Sequence, residues 1–273
     1  MPADAAHAVT PLSSPPALPP RPALFLDMDG VLAPITATPG GVGPDGRRSR
    51  VLAQLQARLD GRLAVLSGRT IAEIDRICEG MVPCVAGVHG LERRGADGQV
   101  RRLDAHPALG RVHDALEDFA RDRPGVLIED KALGVTLHYR QAPDQADAAR
   151  ALARGLAETH GLTLQPGDMV QELKTPGADK GRALTAFMEE APFRGAVPVM
   201  TGDDLTDEFA FAAAARLGGF GVLVGPPRET AATHGLADSG AVMDWLETLA
   251  ERACTVIDLI WPWPRSVMAR FPA

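Results

Sequence analysis

Short apolar runs alternating with amphipathic stretches set the architecture of this chain. Ala23-Leu24-Phe25-Leu26, Leu63-Ala64-Val65-Leu66, the segment near Cys84 to Val88, Val197-Pro198-Val199-Met200 and Gly221-Val222-Leu223-Val224 are each followed within two residues by Gly, Asp or Ser. Runs this short and this apolar read as strands covered on both faces, as in a parallel sheet. Between them, apolar positions recur with helical period around Arg48 to Leu59, Thr70 to Cys78, Lys180 to Glu189 and Ala241 to Leu249. Strand–helix alternation predicts an α/β fold with a doubly wound, mostly parallel sheet. Between about Arg101 and Gln171 the texture changes. Four short alternating segments (Gly125 to Glu129, Val135 to Tyr139, Leu162 to Gln165, Met169 to Leu173) are separated by helical stretches near Pro107 to Arg121 and Asp144 to His160. They predict an inserted, smaller α+β domain with an antiparallel sheet. The expected boundaries are a disordered tail at 1–22, a core domain at 23–102 and 172–252, the inserted domain at 103–171, and a C-terminal tail at 253–273 carrying Trp261-Pro262-Trp263-Pro264.

With 273 residues and 45% hydrophobic composition the chain can bury one large core or two modest ones. The net charge of −7 argues against a nucleic-acid surface, and no apolar run is long enough to span a bilayer. Residues 1–22 lack the charged start and apolar centre of a secretion signal, so a cytoplasmic location is expected. Cys78, Cys84 and Cys254 form no C-x-x-C pair and suit packing in a reducing compartment. One skew in composition matters. Lysine occurs only at Lys131, Lys174 and Lys180, against 25 arginines, and Tyr139 is the single tyrosine. Lysine and arginine differ in shape and hydration, so the three lysines are candidates for positions where a compact ammonium is needed, with chance usage as the alternative.

Candidate chemistry gathers at the strand ends. Asp27 and Asp29 close the first run, and side chains two apart on a strand share a face. Ligands of parallel sheets bind at the carboxyl ends of the strands. Two carboxylates there repel unless a cation lies between them or one holds a proton. Taken alone, the pair fits a divalent-metal site with a nucleophilic carboxylate, and equally two solvated acids at a strand end. Three further strand-end features narrow the choice: Ser67, Lys180 at a helix start, and Asp203-Asp204 after the fourth strand. A carboxylate so placed can attack a phosphoryl group to form an acyl-phosphate. Mg2+ bridging carboxylate and substrate would neutralise the repulsion, with Asp203 as a second carboxylate. Ser67 can donate to a phosphoryl oxygen beside the amides of the following helix start. Lys180 can offset charge on the equatorial oxygens. Asp29 can protonate the leaving oxygen and then activate water.

Asp27-Met28-Asp29-Gly30, Ser67-Gly68-Arg69, Gly87-Val88-His89-Gly90, Lys180-Gly181 and Gly202-Asp203-Asp204-Leu205-Thr206-Asp207-Glu208 together resemble the haloacid dehalogenase superfamily and, within it, the trehalose-6-phosphate phosphatase family. The resemblance covers roughly Ala23 to Leu249. Val31 departs from it, since the family usually has Thr there. The resemblance implies a Rossmann-like core of the haloacid dehalogenase type with a mobile cap formed by the insertion. It implies Asp27 as nucleophile, Asp29 as general acid/base, and Mg2+ held by Asp27, the Asp29 carbonyl and Asp203. Asp204 and Asp207 would lie behind the metal, with Asp207 orienting its shell. His89 would contact the sugar, and Arg69 and Arg140 are counted with the substrate contacts. Glu129-Asp130-Lys131 and Glu172-Leu173-Lys174 repeat Glu-x-Lys on two predicted strands, which puts each Glu and Lys on one face. Carboxylate beside ammonium suits hydroxyls that both donate and accept, the alternative being two cross-strand salt bridges worth little. The expected reaction is hydrolysis of trehalose 6-phosphate, in functional association with a synthase of that ester. Another sugar phosphate, such as sucrose 6-phosphate, and a non-catalytic sugar-phosphate sensor are the alternatives.

Overall fold

The computed structural model describes residues 12–36, 41–131, 133–177 and 179–251. Its central strand is β1 (Pro22–Leu26), with Ala23 to Leu26 wholly buried. The proline stands at the first position of the strand, where no ladder donor is lost. On one side β1 pairs in parallel with β2 (Leu63–Leu66), which pairs with β3 (Cys84–Gly87). On the other side it pairs in parallel with β10 (Val197–Gly202), followed by β11 (Phe220–Val224) and β12 (His234–Leu236). Two antiparallel strands, β4 (Glu92–Arg94) and β5 (Val100–Arg102), extend the sheet beyond β3 to give the order β12-β11-β10-β1-β2-β3-β4-β5.

Side-chain alternation divides the core into two layers. Leu24, Leu26, Val65, Val85 and Val199 face α1 (Gly46–Arg58), α2 (Ile71–Cys78) and α7 (Ser239–Glu251), meeting Leu52, Leu55, Ile74 and Leu246. Phe25, Ala64, Leu66 and Met200 face α5 (Lys180–Met188) and α6 (Glu208–Arg216), meeting Leu184, Phe187 and Phe211. The rings of Phe25 and Phe193 lie 5.4 Å apart, as do those of Phe187 and Phe193. Each strand is therefore apolar on both faces, which is why these runs show no polar alternation. Residues 12–21 depart from the expected disordered tail: Leu12 and Leu18 pack against these two layers, and the Ser13 carbonyl accepts from Gly235 N at 2.9 Å. Cys78 and Cys84 are free and buried, and burial pushes both thiols up to about 11. Cys254 and the Trp-Pro pairs lie outside the described residues.

The inserted part forms a separate antiparallel sheet, ordered β6-β7-β9-β8, from β6 (Leu127–Lys131), β7 (Gly134–His138), β8 (Thr163–Gly167) and β9 (Val170–Lys174). Beneath it lie α3 (Leu109–Ala120) and α4 (Ala146–His160), whose Val112, Leu116, Ala149 and Ala153 pack on Val135, Leu137, Tyr139 and Leu173. Tyr139 is thus a core residue of this unit, its hydroxyl accepting from Gln171 Nε2 at 3.1 Å. The expected boundary at 171/172 falls inside β9. Glu172, Leu173 and Lys174 belong to the inserted sheet, because the β7 and β8 ladders both run on to Lys174.

Candidate active site

Since β2, β1 and β10 are neighbours, Ser67, Asp27 and Asp203 leave the sheet side by side at its carboxyl edge. Asp27 keeps its N–H on the Thr201 carbonyl at 2.9 Å, and its carboxylate is buried. Asp179 caps α5 through Arg182 N, which fixes where Lys180 begins the helix. The buried Lys180 Nζ reaches Asp27 Oδ1 at 3.0 Å and Asp207 Oδ1 at 2.7 Å. Asp207 Oδ2 accepts from the N–H groups of Asp203 and Asp204 at 3.0 and 3.1 Å. Asp204 Oδ1 in turn accepts from Thr206 N and Oγ1 at 2.7 and 2.6 Å. The G-D-D-x-T-D motif is therefore a turn wound around the carboxylate of its last aspartate.

Two glycines make room for this. A Cβ at Gly202 would stand 2.2 Å from Asp207 Cγ, and one at Gly30, where φ is +73°, would stand 2.1 Å from Asp203 Oδ2. Gly202→Ala must push Asp207 out of the turn. We expect it to cost about 2–4 kcal/mol, read by denaturant unfolding; a variant as stable as the parent would contradict this packing.

The oxygens of Asp27, Asp203 and Asp207 lie within 4.8 Å of one another. Burial drives the Asp27 pKa well above the carboxylate range, with Asp207, Asp204 and Asp203 adding to it and Lys180 opposing. Burial likewise drives Asp203 up to about 6, again with Asp207 and Asp204 adding. Lys180 stays charged: burial opposes its charge, but Asp27 and Asp207 outweigh it. One ammonium thus faces three carboxylates, and the donors are hard oxygens, which suits a small divalent cation. Both oxygens of Asp207 are engaged by Lys180 and two amides, so Asp27 and Asp203 are the carboxylates left to ligate. The Asp29 side chain does not join them. Arg69 grips it with Nε on Oδ2 at 2.8 Å and Nη2 on Oδ1 at 2.7 Å. Of Asp29, the backbone alone remains for the expected metal set, and Arg69 serves first as the partner of Asp29. Ser67 is buried, its Oγ accepting from Arg69 N at 3.2 Å.

A cleft of about 660 Å³ runs from Asp29 and Arg69 past Val88 to Glu129 and Lys131 on the inserted sheet. Val88 and His89 both sit at positive φ, +48° and +56°, an uncommon conformation for a β-branched residue. Burial, then Lys174 and Lys180, push the His89 pKa down to about 3, so its ring is neutral, and its Nδ1 is buried without a partner among the described residues. In the inserted sheet Glu129, Thr136, Glu172 and Gln165 form one cross-strand rung, and Lys131, Gly134, Lys174 and Thr163 another. The two Glu-x-Lys motifs therefore share one face. Lys131 pairs with Glu172 at 3.5 Å, Lys174 donates to Gln165, and Glu129 meets His138 Nε2 at 2.9 Å. Arg140 is not brought to the cleft. It binds Asp168 at 2.9 Å at the other end of the sheet, beside the turn from β8 to β9.

Several contributors escaped the sequence reading. Glu92 accepts from Ile71 N at 2.6 Å and from Arg102 Nε at 3.1 Å, and both Glu92 and Arg102 line the cleft. Arg228 donates to the Asp204 carbonyl at 2.8 Å and pairs with Glu208, holding the turn after Asp203 from outside. Arg102 and Arg228 lie 12 and 20 residues beyond the nearest motif, and Glu92, though two residues past Gly90, stands on a short strand without apolar alternation, so none of them carries a local signal.

The fold is shared with a haloacid dehalogenase-like hydrolase of Bacteroides thetaiotaomicron, with a TM-score of 0.59 at 16% identity, covering 83% of this chain and 98% of that one. The sequence matches the family model described as Trehalose-phosphatase over residues 25–238, and the chain belongs to that family of phosphoric monoester hydrolases. It is 39% identical to a trehalose-6-phosphate phosphatase of Escherichia coli over 88% of this chain and 90% of that protein. It is 37% identical to a probable trehalose-phosphate phosphatase of Sinorhizobium fredii over 75% of this chain and 78% of that protein. Among solved structures, the trehalose-6-phosphate phosphatase of Aspergillus fumigatus superposes with a TM-score of 0.66 at 26% identity, covering 85% of this chain and 94% of that one.

Proposed function

We propose that this enzyme hydrolyses trehalose 6-phosphate to trehalose and phosphate through an aspartyl-phosphate on Asp27. The observation that carries the reading is the cluster of Asp27, Asp203 and Asp207, with Lys180 on Asp27 and Asp207; Asp27 stands two residues along the chain from Asp29, which lines the cleft reaching Glu129 and Lys131. Asp27 Oδ attacks phosphorus and the bond to the sugar oxygen breaks. Lys180 and Ser67 stabilise the oxygens on which charge accumulates. Asp29, once free of Arg69, gives its proton to the leaving sugar oxygen and then takes one from the water that cleaves the acyl-phosphate. Asp27, Asp203 and the Asp29 backbone would hold Mg2+, which when bound would supply positive charge to keep Asp27 ionised and to polarise the phosphoryl group.

In this reading the inserted domain is a cap. Glu129, Lys131, Glu172 and Lys174 meet the sugar hydroxyls, neutral His89 reaches the sugar from the core, and closure excludes water. A cytoplasmic site of action, shared with the synthase that makes the ester, suits the buried free thiols, and no described helix is long and apolar enough to cross a membrane. The test is phosphate release from trehalose 6-phosphate, beside sucrose 6-phosphate and glucose 6-phosphate. We expect the first to be preferred, and chelation to lower its rate by about 100-fold or more, restored by Mg2+. Equal rates on the three esters would refute the substrate, and full activity in chelator the metal.

A further inference from the structure

We propose that Arg102 is a specificity-determining residue, its guanidinium holding the sugar unit that does not carry the phosphate. The inference rests on the reading of the cleft as a sugar-phosphate site. Arg102 ends β5 and lines the same cleft as Asp29 and Arg69 at the reacting end and Glu129 and Lys131 on the inserted sheet. It stands directly across the β4–β5 ladder from Glu92. Glu92 is itself fixed, buried to 8% exposure with its other oxygen on Ile71 N at the start of α2. So the Arg102 guanidinium is anchored at Nε alone, at 3.1 Å. Its two terminal nitrogens have no partner among the described residues, and the side chain is 65% exposed.

The neighbouring arginines differ. Arg93 and Arg94 each close a two-point pair, with Glu190 and Asp75, and Arg101 binds Asp97. Among these four arginines, Arg102 alone presents an oriented, half-used fork to the cleft. The phosphoryl end already has Lys180, so the ligand chemistry left for this fork is neutral hydroxyl oxygen. Two vicinal hydroxyls of a pyranose match the parallel donors of a guanidinium. Glu129, 53% exposed on the facing wall, accepts from hydroxyls that Arg102 cannot serve. A cleft of about 660 Å³ is within the usual size of a pocket for a ligand larger than one sugar.

The experiment compares kcat/KM for trehalose 6-phosphate and glucose 6-phosphate in the parent enzyme, Arg102→Ala and Arg102→Lys, with melting temperatures alongside. The ratio of disaccharide to monosaccharide ester should fall about tenfold or more in Arg102→Ala. Arg102→Lys, with charge but no fork, should fall between. The melting temperatures should stay within a few degrees, since the side chain is exposed and Glu92 keeps its helix contact. An unchanged ratio, or equal losses on both esters, overturns the assignment. A parent enzyme without preference for the disaccharide ester overturns instead the substrate reading on which it rests.

Discussion

Asp27→Asn should release phosphate from trehalose 6-phosphate at below about 10⁻⁴ of the parent rate, as expected when the attacking atom itself is removed. The amide has the shape of the carboxylate, and the backbone bond from Asp27 N to Thr201 is untouched. Lys180 keeps its partner Asp207 at 2.7 Å. Burial and three neighbouring acids raise Asp27, so removing its charge relieves repulsion, and the melting temperature should not fall. Activity and stability therefore move apart, which a merely structural aspartate would not produce. Rapid quenching with phosphorus-labelled substrate supplies a second readout: label should remain on the parent protein and be missing from the variant. Steady-state turnover above about 1% of the parent rate would remove Asp27 from the nucleophile's role.

Much of this site was legible because its parts are strand ends. Apolar runs identify buried strands, and the polar residue after each run must lie at the carboxyl edge whatever the strand order. Asp27, Ser67 and Asp203 were found that way, and their mutual contact needed only that β2, β1 and β10 be adjacent. The Glu-x-Lys motifs were legible for a similar reason, since a period of two fixes their common face. The antiparallel extension was not legible. β4 and β5 read Glu-Arg-Arg and Val-Arg-Arg, with no apolar alternation, because they sit at the rim of the sheet and are held by ion pairs, β4 with α2 and Glu190 and β5 with Asp97 and Glu92. Arg102 was lost with them. The grip of Arg69 on Asp29 spans 40 residues, beyond any local pattern. Closeness in sequence to the strand does not say which end of it meets the cleft, so nothing local places Arg140 beside Asp168. The expected boundary at 171/172 puts Glu172 and Lys174 in the core, but the ladder with β7 holds them in the inserted sheet.

Lys180→Met should lose about 10³-fold or more in kcat and about 3–5 kcal/mol of stability near neutral pH. Methionine keeps most of the stem and removes the single positive charge from among Asp27, Asp203 and Asp207. Lys180 is 2% exposed, so water cannot replace the lost ammonium. The sign of the pH dependence follows from the direction of the acid shifts. In the parent, burial already raises Asp27 and takes Asp203 to about 6, and loss of the lysine raises both further. An acid whose folded pKa lies above its unfolded value destabilises the fold as pH rises from the unfolded value, near 4, through the folded one. The stability deficit of the variant should therefore be small at about pH 4, grow through pH 6 and level off once the raised pKa is passed. For the same reason the acid limb of its residual kcat should lie at higher pH than in the parent, because Asp27 must be ionised to attack. Added Mg2+ should restore more stability to the variant than it adds to the parent, as the cation then answers carboxylates that no ammonium balances. A deficit independent of pH and of Mg2+ would mean that Lys180 acts through packing alone, and the charge balance on which the catalytic reading stands would be lost.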